Sequence, residues 1–335
     1  MSNKKTVIVT GGAGFIGSHT VEDLLNRGYE VRVLDNLIGG SVENLKKVIK
    51  NKNLIFKKND IQQISQNSSF FKNVHGIIHF AGSGSIVPSI ENPKFYIENN
   101  LNGTVNILEA VVKNNIKNFV YAASSSCYGK VSVPTKETAK ISCEHPYAIS
   151  KYFGEQAALH WGKIYRFKSS SLRIFNAYGP RLTTKGSYGT VFAVFMKQII
   201  ENKPLTLVGD GSQKRDYVYV TDVADAFIRA LNIKTKSRIF NIGKGDPKSI
   251  KYMIKKLVGA KYKINKISER PGEPKITMAD ISLANKELKW KPKVSFEKGL
   301  SIMLENIDYW KDAVLWNSSN IKVATKTWFK YLKKR

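Results

Sequence analysis

The sequence is poor in cysteine: two in 335 residues cannot staple a chain of this length, which excludes a disulfide-built scaffold. Long apolar runs are missing as well. None approaches the ~18 residues needed to cross a bilayer. Only the short stretch from Thr6 to Thr10 separates Lys5 from the first glycine, too little for the apolar core of a secretory leader, so the cytoplasm is the expected compartment. Acidic side chains are scarce, 26 against 54 Lys and Arg, which leaves a formal net charge of +28. Such an excess can announce nucleic acid or an anionic membrane. Here it is mostly Lys scattered along the chain, and its densest stretches, 251–266 and 322–335, carry no nucleic-acid motif. They read as solvated helix faces and strand edges, so neither nucleic acid nor membrane is an expected partner. Nor is there an internal repeat, a low-complexity linker or an expected metal site.

What is present is enough apolar material for a sizeable core, 42% of residues. At ~150 residues per domain the length suggests two domains, or one large domain with an appendage. Short β-rich runs at 6–10, 30–35, 54–57, 75–80, 118–123 and 170–175 alternate with helical patterns at 15–26, 100–115 and 147–167. That rhythm predicts an α/β fold, a doubly wound parallel sheet with helices on both faces. After Gly179-Pro180 it loosens into a polar, glycine-containing loop at 183–189 and a turn at Gly209-Asp-Gly211. It resumes at 217–220, 223–231 and 238–242, and the last ninety or so residues are irregular.

Gly11, Gly14 and Gly17 fall between the first strand and the first helix in a GxxGxxG spacing. Glycines there permit a sharp turn, close approach of backbone N–H groups to a pyrophosphate, and tight strand–helix packing. Asp35 ends the next strand, where a carboxylate would accept from ribose hydroxyls and repel a 2′-phosphate, favouring NAD over NADP. Asp60-Ile61 follows a further strand and could read the adenine, although Asp60 serves equally as a helix N-cap. Tyr147 and Lys151 are four apart in a helical stretch and share a face. A lysine ammonium beside a phenol would bring its pKa from ~10 towards neutrality and make it a usable base. Ser124 follows the strand 118–123, at the edge of a parallel sheet where ligands gather. Singly, each feature is ordinary; their order and spacing carry the signal.

Taken with His79-Phe-Ala-Gly82, Asn99-Asn100, Leu172-Arg-Ile-Phe-Asn176, Tyr178-Gly-Pro180, Lys214-Arg-Asp-Tyr217, Arg270-Pro-Gly-Glu273 and Ala279-Asp-Ile-Ser282, these residues make positions 4–310 resemble the extended short-chain dehydrogenase/reductase family. Within it the chain looks most like the nucleotide-sugar 4-epimerases. The resemblance implies a Rossmann-type domain from 1–177 with 215–243, and a smaller α/β substrate-binding domain from 178–214 with 244–335. It implies that Gly11, Gly14, Phe15, Ile16, Gly17, Asp35, Asn36, Asp60, Ile61, Phe80, Ala81, Gly82, Asn99, Tyr147 and Lys151 surround NAD. Ser124, Ser125, Ser126 and Tyr147 would face the sugar. Asn176, Val191, Arg215, Tyr217, Arg270 and Glu273 match positions that hold the nucleoside diphosphate, two guanidiniums suiting a diphosphate and a carboxylate suiting ribose hydroxyls. Thr277 matches a position beside the sugar's 2′ substituent, where a small side chain goes with N-acetylated sugars.

The implied reaction is inversion at C4′ through a 4-keto sugar, with Tyr147 taking the hydroxyl proton and Ser124 supporting it. UDP-glucose, UDP-galactose and their N-acetylamino forms are the expected substrates. The alternatives are a uronic acid 4-epimerase, an epimerase acting at another carbon, or a non-catalytic NAD- or nucleic-acid-binding protein. The related 4,6-dehydratases carry an Asp-Glu pair where this chain has Ser125 and Ser126, which argues against water elimination. A homodimer through helices 100–115 and 147–167 is expected on the same resemblance. Cys127 and Cys143 read as inert thiols. Beyond the matched pattern, Trp316, Trp328 and Phe329 predict a helix packed on the body.

Overall fold

A computed structural model describes residues 4–182, 190–233 and 238–332. The polar loop expected at 183–189 lies outside them. Six strands alternate with helices in the first half: β1 (Thr6–Thr10), α1 (Phe15–Asn26), β2 (Glu30–Asp35), β3 (Leu54–Lys58), β4 (Gly76–His79), α2 (Ile86–Glu91), α3 (Pro93–Ile97), α4 (Gly103–Lys113), β5 (Asn118–Ser124), α5 (Pro146–Ile164) and β6 (Lys168–Ile174). With strand Arg238–Ile242 they form one parallel sheet in the order β3-β2-β1-β4-β5-β6 and then Arg238–Ile242. The α/β expectation holds. β1 shows why the sheet is covered on both faces. Val7 and Val9 join the cluster containing Val33 and Phe227, while Ile8 joins the one containing Ile107 and Phe119. Successive strand residues point to opposite faces, and β-branched side chains suit both.

Several boundaries differ from expectation by one to three residues, and three of them have a local reason. The helix expected at 100–115 begins as a π-helical turn, Glu98–Asn102, and becomes α4 only at Gly103. α5 starts one residue early because Pro146 suits the first helical position and His145 Nδ1 accepts the Ala148 N–H at 3.1 Å. It stops at Ile164 because Arg166 takes a left-handed φ of 59°, which lets β6 begin at Lys168.

The second region is built from helices Val191–Ile200, Ile250–Val258 and Phe296–Glu305 and three small strand pairs. Its core is aromatic: Tyr178 stacks on Phe192 at 4.9 Å and Tyr217 on Phe296 at 5.1 Å. The C-terminal segment is seated on the body as two short helices, Ser318–Ala324 and Lys326–Leu332, with the Trp328 side chain buried. No described helix is long and apolar enough to cross a membrane.

Candidate active site

Strand order reverses between β1 and β4, and the loops leaving those two strands meet. Gly11 has φ 68°, and a side chain there would press on the Ala81 amide nitrogen at 2.7 Å. A side chain on Gly17 would collide with the Gly11 carbonyl, and Gly14 has that carbonyl 3.1 Å from where a Cβ would sit. The three glycines therefore let the turn pack closely on itself and on the loop after β4, and this turn, at the start of α1, is the candidate cradle for a pyrophosphate. α1 begins there with Gly14 as its cap, no side-chain cap and no acidic residue in its first turn, so its N-terminus stays positive.

Asp35 is buried beside the cradle; its Oδ2 accepts from Ala13 N at 2.9 Å and its Oδ1 from Leu37 N at 2.8 Å. Burial pushes its carboxyl up, and the two N–H groups oppose that. Asn36 donates to Asp60 Oδ2 at 2.8 Å, which brings both predicted residues to one place, and Asp60 Oδ1 also caps the turn through Gln62 N. Phe15, Ile16, Phe80 and Ala81 are half-buried around the cradle and Gly82 is exposed. Ile61, beside Asp60, has its side chain in the core, and its carbonyl accepts from Asn106 at 2.6 Å. A dinucleotide fits this donor set, with the glycine turn at the pyrophosphate and Asp35 at the ribose.

The loop after β4 is held by the π-turn. Asn100, fully buried, accepts from Ser83 N at 2.7 Å and donates to Ser83 O and to Ser150 Oγ on α5. Asn99 donates to Ser83 Oγ at 2.8 Å. Beneath them His79 lies between Thr10 Oγ1 at 2.7 Å and Thr104 Oγ1 at 3.0 Å. Thr104 gives its own proton to Asn100 O, so the network assigns the His79 proton to Nε2. Burial drops the His79 pKa to about 3, which makes it a neutral strut.

Ser124, at the end of β5, and Tyr147 and Lys151, on α5, come together at this edge of the sheet. Ser124 Oγ contacts Ser126 Oγ at 2.8 Å and also hydrogen-bonds the Tyr147 side chain. The Lys151 ammonium lies over the Tyr121 ring at 4.4 Å, and a Cβ on Gly82 would sit 3.7 Å from it. Electrostatically the pair departs from the sequence expectation. Burial raises the Tyr147 phenol, with the Ser124 hydrogen bond working against it, and burial lowers Lys151 to about 7. Burial, not the lysine, sets the direction of the phenol's shift, against the fall expected from the sequence.

Sequence reasoning missed what lies under this centre. Glu155, one further turn along the Tyr147–Lys151 stripe, pairs with Arg173 through Nε at 2.9 Å and Nη2 at 2.6 Å, both residues being at most 2% exposed. Ser171, Tyr128, Asn241 and Glu137 complete the network. The repeat of polar residues at i, i+4 and i+8 was the available signal. Cys127 and Cys143 lie nearby, with burial pushing their thiols up to about 12 and about 11, so both are inert as expected.

Facing this edge, Ser125 and Thr277 line one cavity of about 20 Å³ with Tyr128, Phe175 and Ile276. Thr277 Oγ1 accepts from Asp216 N at 3.2 Å and is 3.5 Å from Asn176 Oδ1. Asp216, not anticipated, is fully buried and ties Lys244, Gly245 and Ala279 backbone amides together. Glu273 binds Arg270 at 3.1 Å and Arg215 at 2.9 Å, which brings the three predicted arm residues into one cluster. Tyr217 is buried in the aromatic core, and its hydroxyl has no hydrogen-bond partner among the described residues. Val191 opens its helix, half-buried.

The pattern of the NAD dependent epimerase/dehydratase family matches residues 7–243. UDP-glucuronate 4-epimerase of Thermodesulfobacterium geofontis is 34% identical, over 94% of this chain and 97% of its own. Among solved structures, UDP-N-acetylglucosamine 4-epimerase of Methanobrevibacter ruminantium superposes with a TM-score of 0.84 at 29% identity, covering 90% of this chain and 99% of that one. UDP-glucose 4-epimerase of Thermotoga maritima, with UDP-glucose, superposes at 0.83 and 32% identity, covering 92% and 99%.

Proposed function

This chain belongs to the NAD dependent epimerase/dehydratase family, and from that premise we propose that it inverts C4′ of a UDP-sugar through a transient 4-keto intermediate. The observation that carries the reading is that Ser124 and Tyr147, from two separate elements, lie side by side, with Lys151 one turn further along α5 and its ammonium near Gly82. NAD, held by the Gly11–Gly17 turn and Asp35, supplies reversible two-electron chemistry at the sugar carbon. The protein's own work is placement and proton handling. Tyr147 Oη takes the proton of the C4′ hydroxyl as the carbonyl forms, and returns it when the carbon is reduced on its other face. Ser124 hydrogen-bonds the same oxygen, and Lys151, charged below about pH 7, is the cation one turn away that would favour the phenolate against the burial that raises it. No net oxidation results, so the cofactor never needs to leave.

Residues 178–214 with 244–335 are read as the part that holds substrate. In support, Glu273 of that part binds Arg270 of the same part and Arg215 at its border, gathering two guanidiniums on one carboxylate, and the buried hydroxyl of Tyr217, also at the border, lacks a hydrogen-bond partner among the described residues. A nucleoside diphosphate satisfies both. Small Thr277 supports acceptance of N-acetylated sugars. A uronic acid is the second reading, supported by the 34% identity to a UDP-glucuronate 4-epimerase. The protein is read as a cytoplasmic homodimer pairing α4 and α5, supported by the exposure of Phe153, Ile164 and Tyr165; light scattering reporting a monomer at micromolar concentration would remove that part.

Incubation with UDP-, CDP-, GDP- and dTDP-linked hexoses, N-acetylhexosamines and uronic acids, with NMR of the products, tests the whole. Inversion at C4′ of a UDP-sugar without net NAD reduction is expected. A panel returned unchanged, or inverted at another carbon, would overturn it.

A further inference from the structure

We propose that Trp328, on the C-terminal helix Lys326–Leu332, is a positioning residue for the substrate diphosphate, acting by fixing the Arg270 loop from behind. The proposal rests on the nucleotide-sugar reading above. Arg270 belongs to the stretch that follows strand Ile264–Ile267, where Gly272 has φ 83° and no regular element supplies order. Such a loop holds a charged side chain in place only through tertiary contacts. Trp328 makes two, on adjacent residues. Its indole Nε1 donates to Pro271 O at 2.8 Å, and its ring lies 5.7 Å from the Arg270 guanidinium carbon. The Trp328 side chain is 5% exposed, so both contacts are shielded from water.

The geometry divides the work at Arg270. Nη1 is engaged by Glu273 at 3.1 Å, and the indole packs against the guanidinium. A planar group held by an ion pair and an aromatic face keeps its orientation, and a diphosphate read by two guanidiniums depends on orientation. The same helix reaches the other half of the molecule through Thr327 Oγ1, which donates to Glu91 Oε1 on α2 at 3.1 Å. An open pocket of about 370 Å³ lies beside that contact, lined by Ile90, Glu91, Lys326, Thr327, Lys330 and Tyr331. The contact at Thr327 and the one at Pro271 and Arg270 can therefore be tested separately.

The test compares wild type, Trp328→Ala, Trp328→Phe and Thr327→Val in the full chain, by calorimetry with UDP and with uridine and by steady-state kinetics. Trp328→Ala is expected to weaken UDP about ten-fold, leave uridine within about two-fold, and raise KM with little change in kcat. Trp328→Phe keeps a ring under Arg270 and should recover part of the loss, while Thr327→Val should leave UDP affinity unchanged. Wild-type UDP affinity in Trp328→Ala, or equal losses for UDP and uridine, would overturn the proposal. If Trp328→Ala does not fold, Trp328→Phe decides: UDP affinity weaker than in Thr327→Val supports it, and equal affinity overturns it. A wild type that binds uridine and UDP equally poorly sinks the nucleotide-sugar reading itself.

Discussion

Around the reaction centre the polar groups are buried and mutually satisfied, whereas around the nucleotide arm they are charged and partly open to solvent. His79, Asn100, Glu155 and Arg173 are each at most 2% exposed, and each hydrogen-bonds to protein groups. Arg215, Arg270 and Glu273 keep side-chain exposures of 13%, 16% and 24%. The first kind of network is rigid, because leaving any member unpaired in a low dielectric is costly. The second kind can exchange one partner for another at little cost. A site that must hold a hydroxyl, a phenol and a lysine in register needs the first. A site that must admit and release a nucleotide needs the second.

The largest expected effect falls at the rigid centre. Tyr147→Phe deletes one oxygen and should lower kcat by about 10³-fold, the usual reach of a positioned acid–base group. NAD content and thermal stability should stay near wild type, since the ring keeps its stacking on His145. Turnover at the wild-type rate would remove the assigned chemistry.

Next comes the contrast itself, measured as stability. Glu155→Ala strands a buried guanidinium and should cost about 3–5 kcal/mol. Glu273→Ala breaks an ion pair partly open to water and should cost less than about 1 kcal/mol. Urea titrations of both variants decide the matter; equal costs would mean that the two halves are not differently built.

A smaller effect concerns pH. Lys151 titrates at about 7 in the fold, below its unfolded value of 10.5. Between those two values the unfolded chain binds the extra proton, so this group makes stability rise with pH across that window and adds nothing further above it. Below pH 7 the full cost of burying the ammonium is present. Lys151→Met, which cannot be charged, should flatten the rise; an unchanged slope would place the titration elsewhere.

The same contrast explains what could be read from the sequence. Strand alternation, the glycine turn and Asp35 are local patterns, and the sheet followed from them. The candidate cofactor and reaction residues were visible because most of them sit at or near the ends of elements, at fixed offsets. Asp216 was not, because its partners lie far along the chain, and the Glu155–Arg173 pair was signalled only by the i, i+4, i+8 repeat, which marks Glu155 without naming its partner on the next strand. The phenol's direction of shift was misjudged for a related reason. The i, i+4 spacing of Tyr147 and Lys151 reveals their proximity, but the burial that governs both titrations belongs to the fold.

The smallest effect tests the boundary between the two halves, at Thr277. Its side chain lines the cavity of about 20 Å³ shared with Ser125, and its hydroxyl accepts the Asp216 N–H. An acetamido group adds several heavy atoms to a sugar, and a side chain as large as tyrosine at this position would compete with it for space. Overpacking of about 1 kcal/mol corresponds to roughly five-fold in turnover. Thr277→Tyr should therefore lower kcat/KM for UDP-N-acetylglucosamine about five-fold relative to UDP-glucose. Thr277→Ser keeps the hydroxyl without adding bulk and should leave that ratio unchanged, which separates size from the lost hydrogen bond at Asp216. If Thr277→Tyr depresses both sugars equally, the residue serves only to anchor its loop, and selectivity at C2′ is set by other side chains.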